Sequence, residues 1–224
     1  MVWYRLLSSM PRGTTRKVPP ILQRQRGRPR AYDREIALTH AMNVFWEMGY
    51  AAASLDDLSR AMGMNRPSIY AAFGDKQQLY RQALDHYRAN TRAAIAEALA
   101  GERPLRRALH DFYERAIDIY LSGESAARGC FMIGTALTEA VANPELRATV
   151  AESLRGLDKA LAARIALGQR RGEVDAHANP AELGQVASAM LYLLSIQARA
   201  GATRKALKLT INSALNAICA RTSA

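Results

Sequence analysis

Cysteine is nearly missing from this chain: among 224 residues there are two, Cys130 and Cys219. Two thiols cannot build a disulfide framework, so a packed core must hold the fold, and a reducing cytoplasm is the expected compartment. A glycine-rich phosphate loop, a serine elbow motif and paired-cysteine motifs are all missing. The four histidines, His40, His86, His110 and His177, are scattered. None stands four residues from another or beside a cysteine at metal-ligand spacing. Neither an enzyme nor a cofactor or metal is expected. No apolar run approaches the roughly 20 residues of a membrane span. Runs of β-branched residues are scarce, which argues against a sheet. Acidic residues are absent from the first 32 positions.

What the chain has instead is alanine and leucine, within a composition that is 49% hydrophobic. That is enough apolar surface for a sizeable core, and the residue types favour an all-α class of about nine helices. The charge is uneven. Eight of the 31 Lys and Arg fall in residues 1–32, so the remainder carries 23 basic against 20 acidic side chains. Most of the net charge of +11 therefore sits at the N-terminus. Proline and glycine interrupt residues 1–31 without a sustained helical period, so 1–26 is expected to be a disordered basic arm. Such an arm suits a polyanion partner, and it equally suits a solubilising tail. The opening MVWYRLLSS lacks the apolar core and cleavage site of a signal peptide. An over-long gene start is the alternative account of it.

The most informative stretch is SLDDLSRAMGMNRPSIYAAFGDK, residues 54–76. Ser54 with Asp57 three residues on reads as a helix N-terminus. Leu55, Leu58 and Met62 then mark an apolar face, and Gly63 stops the helix. Asn65 caps a second helix with Pro67 in its first turn, where a missing N–H costs nothing. Ile69 and Phe73 give that helix an inner face. Two short capped helices around a glycine turn form a helix-turn-helix signature, or an ordinary helical hairpin in an all-α protein. In the first reading the N-terminal residues of the second helix meet bases in the major groove. Those are Arg66, Ser68, Tyr70 and Ala71. Arg66 suits bidentate donation to guanine or a phosphate contact, and Lys76 stands where a phosphate contact is expected.

The segment LSRAMGMNRPSIYAAFGDKQQLY resembles the operator-binding segment of the Tet repressor family of bacterial transcriptional regulators. The likeness rests on the Gly63 turn, the capped second helix, Ile69-Tyr70, Phe73, and Asp75-Lys76 leading to Leu79. The small Ala71 and Ala72 depart from the bulky or polar groups frequent there, which points to thymine-methyl contacts or weak base readout. The resemblance implies a DNA-binding domain over residues 27–74, with Ser54, Asn65 and Pro67 among its DNA-binding residues. It implies that GRPR, residues 27–30, reaches a minor groove through Arg28 and Arg30. Residues 75–224 become an effector-binding and dimerisation domain, and a double-stranded operator becomes the partner.

Helices are expected at 33–48, with Ile36, Ala37, Ala41, Val44, Phe45 and Met48 as its stripe, and at 76–99 and 105–121. Trp46 is expected to pack beside the first stripe, and His40 to lie at the surface. Residues 130–141 read as a short helix buried on all sides, followed by helices to about residue 171, at 181–200 and at 203–218. The last two carry more apolar surface than one protomer absorbs. Read as half of an intermolecular four-helix bundle, they place Val186, Met190, Leu193, Leu194, Gln197, Leu207, Ile211 and Leu215 at a homodimer interface. A helix buried inside one large monomer is the alternative.

Polar groups among apolar neighbours suggest a small-molecule cavity. Its expected lining is Phe112, Tyr113, Ile117, Tyr120, Cys130, Phe131, Thr135, Thr138, Glu139 and Tyr192, with capping or solvation as the plainer account. In the family such a cavity binds an inducer that releases the operator. Cys130 at a helix start beside Arg128 is expected to have a lowered pKa, which would suit oxidant or electrophile sensing. A single cysteine in an apolar helix also reads as a small core hydrophobe. The resulting expectation is a homodimeric repressor released from a palindromic operator by a small effector. A thiol-sensing repressor and a weakly specific architectural DNA-binding protein are the alternatives.

Overall fold

The computed structural model describes residues 33–123 and 126–220. The arm at 1–26, Arg28 and Arg30 lie outside the described residues. Among those described there are nine α-helices and no strand. They are α1 (Arg34–Ala52), α2 (Leu55–Met62), α3 (Arg66–Phe73), α4 (Lys76–Leu99), α5 (Leu105–Tyr120), α6 (Leu137–Glu139), α7 (Pro144–Arg170), α8 (Pro180–Arg199) and α9 (Arg204–Ile218). A π-helical segment, Met132–Ala136, leads into α6. No described helix is long and apolar enough to cross a membrane.

Local signals set the helix starts. Asp33, Ser54, Asn65, Asp75, Asn143, Asn179 and Thr203 all turn a side-chain oxygen onto a free N–H of the first turn, the satisfaction that an N-terminus requires. Gly49, at φ 79°, is non-helical and breaks α1 near its end. The core of α1 differs from the expected stripe. Ala37, Leu38, Ala41, Met42, Phe45 and Trp46 are buried, whereas Ile36 and Met48 are exposed. The reason is that α1 packs against both α2 and α4, and this turns its inner arc toward Leu38, Met42 and Trp46.

The segment at 130–141 is also not buried on all sides. Cys130, Phe131, Met132, Thr135 and Ala136 face the core, but Leu137 is exposed and Val141 is 77% exposed. One turn of helix lying against α7 can shield one side only. Its open carbonyls at Ala140 and Val141 accept from the Arg147 guanidinium at 3.2 and 2.9 Å.

In the body, α7 and α8 pack along much of their length, and α5 meets both α8 and α9. Gly184 allows a close approach of α8 to α7: a Cβ there would stand 2.8 Å from Ala162 N and 2.9 Å from the Asp158 carbonyl. The expected dimer stripe divides accordingly. Leu194, Leu207, Ile211 and Leu215 are buried inside the protomer, because the faces of α8 and α9 that carry them turn toward one another and toward α5. Met190 and Gln197 are half-buried, and Gln197 Oε1 accepts from the Thr210 hydroxyl at 3.3 Å. Val186, Leu193, Ile196 and Leu209 are left exposed, the last two at 57% and 61%.

Candidate functional site

The motif helices are built from reciprocal caps. Ser54 Oγ accepts from the Asp57 N–H at 3.1 Å while Asp57 Oδ2 accepts from the Ser54 N–H at 3.1 Å. Gly63 closes α2 in the left-handed region at φ 62°, a conformation open to glycine at little cost. Asn65 Oδ1 then accepts from the Ser68 N–H at 2.9 Å. The Ser54 hydroxyl is thus occupied by its cap as acceptor and as donor, whereas the Asn65 cap uses only the acceptor Oδ1 and does not engage the donors of its exposed amide. Buried Ile69 and Phe73 lock the inner side of α3, as Leu58 and Met62 do for α2.

What α3 turns outward is a compact polar and aromatic surface. Asn65, Arg66, Pro67, Tyr70 and Ala71 are exposed and Ser68 is half-buried. Arg66 is held by a carboxylate from the preceding helix. Its Nε donates to Asp56 Oδ1 at 3.0 Å, and Nη2 lies 2.7 Å from Asp56 Oδ2. That pairing was not expected from the sequence, and the only signal for it is an acid ten residues upstream on a capped helix. Lys76 opens α4 with its Nζ 4.6 Å above the Tyr50 ring and 3.5 Å from the Ala51 carbonyl. It rests against the end of α1 with its charge partly in solvent.

A second constellation joins α1 and α4 to the residues around the π-helical segment. The buried Trp46 Nε1–H donates to the carbonyls of Arg128 and Gly129 at 3.2 and 3.1 Å, and the Arg128 guanidinium stacks 4.0 Å over its ring. Tyr80 and Thr135 hydroxyls meet at 3.0 Å, and the Thr135 hydroxyl also donates to the Phe131 carbonyl at 2.8 Å. Tyr87 Oη lies 3.3 Å from Cys130 Sγ, and the Cys130 N–H donates to Ser195 Oγ at 2.8 Å.

The expected cavity lining is only partly brought together. Tyr120, Cys130 and Tyr192 gather with Tyr87 of α4, which is not among the residues expected to line a cavity. Phe112 and Ile117 are buried, and the Tyr113 hydroxyl is occupied by the Ala187 carbonyl at 2.9 Å. Thr138 is exposed and Glu139 half-exposed, so neither lines an interior. Two surface clefts lie elsewhere. One of ≈ 380 Å³ is bordered by Val174, His177, Leu183 and Ile218, and one of ≈ 210 Å³ by Arg155, Asp158, Lys159 and Gln185.

The expected lowering of the Cys130 pKa is reversed. Burial pushes the thiol up, and hydrogen bonds from Tyr87 and the following backbone offset this only in part. Arg128 does not help, because its guanidinium is stacked on Trp46 and bonded to Asn43 at 3.2 Å. Burial likewise pushes the Tyr80 and Tyr192 phenols up to about 12.

Comparison with known proteins fits this geometry. Residues 37–83, spanning the motif, match the family model described as bacterial regulatory proteins, tetR family. Residues 104–214 match the tetracyclin repressor-like C-terminal domain. The HTH-type transcriptional repressor ComR of Escherichia coli (strain K12) is 32% identical over 187 residues, covering 83% of this chain and 89% of ComR. The chain belongs to the Tet repressor family. Among solved structures, this TetR-family chain is similar to a cysteine-substituted form of the regulator CifR complexed with 26-base-pair operator DNA. The identity is 33% and the TM-score 0.75, over 85% of this chain and 99% of that one. It shares its fold with a TetR regulator from Chloroflexus aurantiacus at 24% identity and a TM-score of 0.73, over 84% and 94% of the two chains.

Proposed function

We propose that this TetR-family chain is a homodimeric, sequence-specific repressor that leaves a near-palindromic operator when a small molecule occupies its body. The observation that carries the reading is the outward face of α3. Arg66, Pro67, Tyr70 and Ala71 project from a helix whose other side is locked by Ile69 and Phe73. A rigid helix with an exposed, polar N-terminal half is what major-groove reading needs. Lys76 supplies a phosphate contact beside it, and Arg28 and Arg30 extend the contact into a minor groove. The repressor role of ComR and the operator complex of CifR support the same reading.

Dimerisation through α8 and α9 accounts for the exposed Val186, Leu193, Ile196 and Leu209. The two heads then sit roughly 34–36 Å apart, one helical turn of DNA. The effector site is drawn to the interior around Tyr87, Tyr120, Cys130 and Tyr192, beneath the π-helical segment, since such segments recur where helices are adapted for function. The raised thiol pKa favours a non-covalent effector over thiolate chemistry.

The test is a mobility shift against the DNA upstream of the chain's own gene, with random competitor at about 150 mM salt, where nonspecific affinity is only ~10⁻⁴–10⁻⁶ M. A competitor-resistant, nanomolar band is expected. If no upstream or genomic fragment resists competitor, the protein is an architectural DNA binder instead.

A further inference from the structure

We infer that Asp56 is a specificity-determining positioning residue: by gripping one side of the Arg66 guanidinium it presents the other side to guanine. The inference rests on α3 being the DNA-reading helix. Arginine carries five N–H donors in a rigid plane. Asp56 takes one on Nε and one on Nη2, as a two-point grip at 3.0 and 2.7 Å. Both hydrogens on Nη1 and the second on Nη2 are left free. One hydrogen of Nη1 and the free one of Nη2 form the end-on fork, directed away from the carboxylate, which is the edge that pairs with guanine O6 and N7.

The same grip works against a phosphate contact. The pair is close to neutral, and a phosphate approaching Arg66 also meets the Asp56 carboxylate. Both side chains are more than half exposed, so the grip is not needed to bury a charge. Nor is it needed to start α2, which Ser54 and Asp57 already cap. An exposed ion pair of this kind contributes little to stability. Its consequence lies in which DNA atoms Arg66 is free to meet.

The experiment measures affinity for the operator and for random DNA across a salt series. It uses the full-length parent, Asp56→Asn, Arg66→Ala and the double variant, with Asp56→Ser as a second substitution suited to a helix start. In Asp56→Asn, operator affinity is expected to fall roughly 10-fold, the scale of one bidentate base contact. Affinity for random DNA is expected to rise, with its salt slope steeper by about 0.9 as the freed Arg66 neutralises a phosphate. Arg66→Ala is expected to lose operator affinity without changing the slope, and the double variant to match it. Replacing operator guanines with 7-deazaguanine is expected to weaken the parent and leave Asp56→Asn unaffected. If both Asp56 variants keep the parent's slope and discrimination while Arg66→Ala weakens operator binding, the positioning role is wrong and the reading helix stands. If Arg66→Ala and Tyr70→Ala both bind operator like the parent, the assignment of α3 fails as well.

Discussion

The indole N–H of Trp46 donates to the Gly129 carbonyl at 3.1 Å, so the first helix is bonded directly to the residues that enter the π-helical segment. This contact joins positions 83 apart in the chain. It sits within an aromatic group in which the Trp46 ring meets Tyr87 edge-on at 5.1 Å and Phe131 at 5.6 Å. Trp46→Phe keeps most of the ring area but leaves two carbonyls without their donor. We expect a loss of about 2 kcal/mol, or roughly 4–8 °C in Tm for a chain of this size. Differential scanning calorimetry checks it, and an unchanged Tm would show that water replaces the indole without penalty.

On α3 the expectation concerns DNA alone. Tyr70→Ala removes an exposed side chain and should weaken operator binding roughly 10-fold without altering oligomeric state. Lys76→Ala should weaken operator and random DNA together and reduce the salt slope by about 0.9. Anisotropy titrations at several salt concentrations separate the two patterns.

For Cys130 the direction of the pKa shift decides. Because burial raises it, the thiolate fraction near neutral pH lies below that of an exposed cysteine, and thiol reagents should modify Cys130 slowly. Mass spectrometry after brief alkylation of the folded protein should find Cys219, the less buried thiol, labelled first. Cys130→Ser should respond to oxidants as the parent does. Rapid, selective labelling of Cys130 would restore thiol sensing as the favoured regulation.

Alkaline pH should destabilise the protein in a defined window. Tyr80 and Tyr192 titrate near 12 when folded but near 10 when unfolded. Between those values the unfolded chain has lost protons that the folded one retains, so stability falls as pH rises. Buried Tyr87 and Tyr120 are shifted the same way and steepen the fall. Urea melts from about pH 8 to 11 should show a stable plateau below the unfolded tyrosine pKa and a decline above it. The tyrosinate absorbance of these four phenols should appear only with unfolding, on top of that of exposed tyrosines such as Tyr70.

The exposed face of α8 provides the test of assembly. Ile196→Glu or Leu193→Glu places a charge where the dimer needs apolar surface, and both positions are exposed in the protomer. Sedimentation should show a monomer, with protomer helicity retained. A dimer surviving both substitutions would move the interface to another face.

What the sequence determined by itself was local. The caps at Ser54, Asn65 and Asp75 and the stops at Gly63 and Gly74 act over three or four residues. Chain order alone therefore specifies the all-α class, the reading-head helices and the side of α3 that faces out. Three things were decided only by the tertiary structure. Leu194, Leu207, Ile211 and Leu215 became core rather than surface because α5, distant in sequence, packs against α8 and α9. The Cys130 pKa moved up rather than down because aromatic neighbours from α4 and α5 exclude water from the thiol. Asp56 met Arg66 because the Gly63 turn folds α2 back beside α3. Periodicity marks an apolar face and residue type marks a charge, but which neighbour covers the face or meets the charge depends on elements distant in the chain.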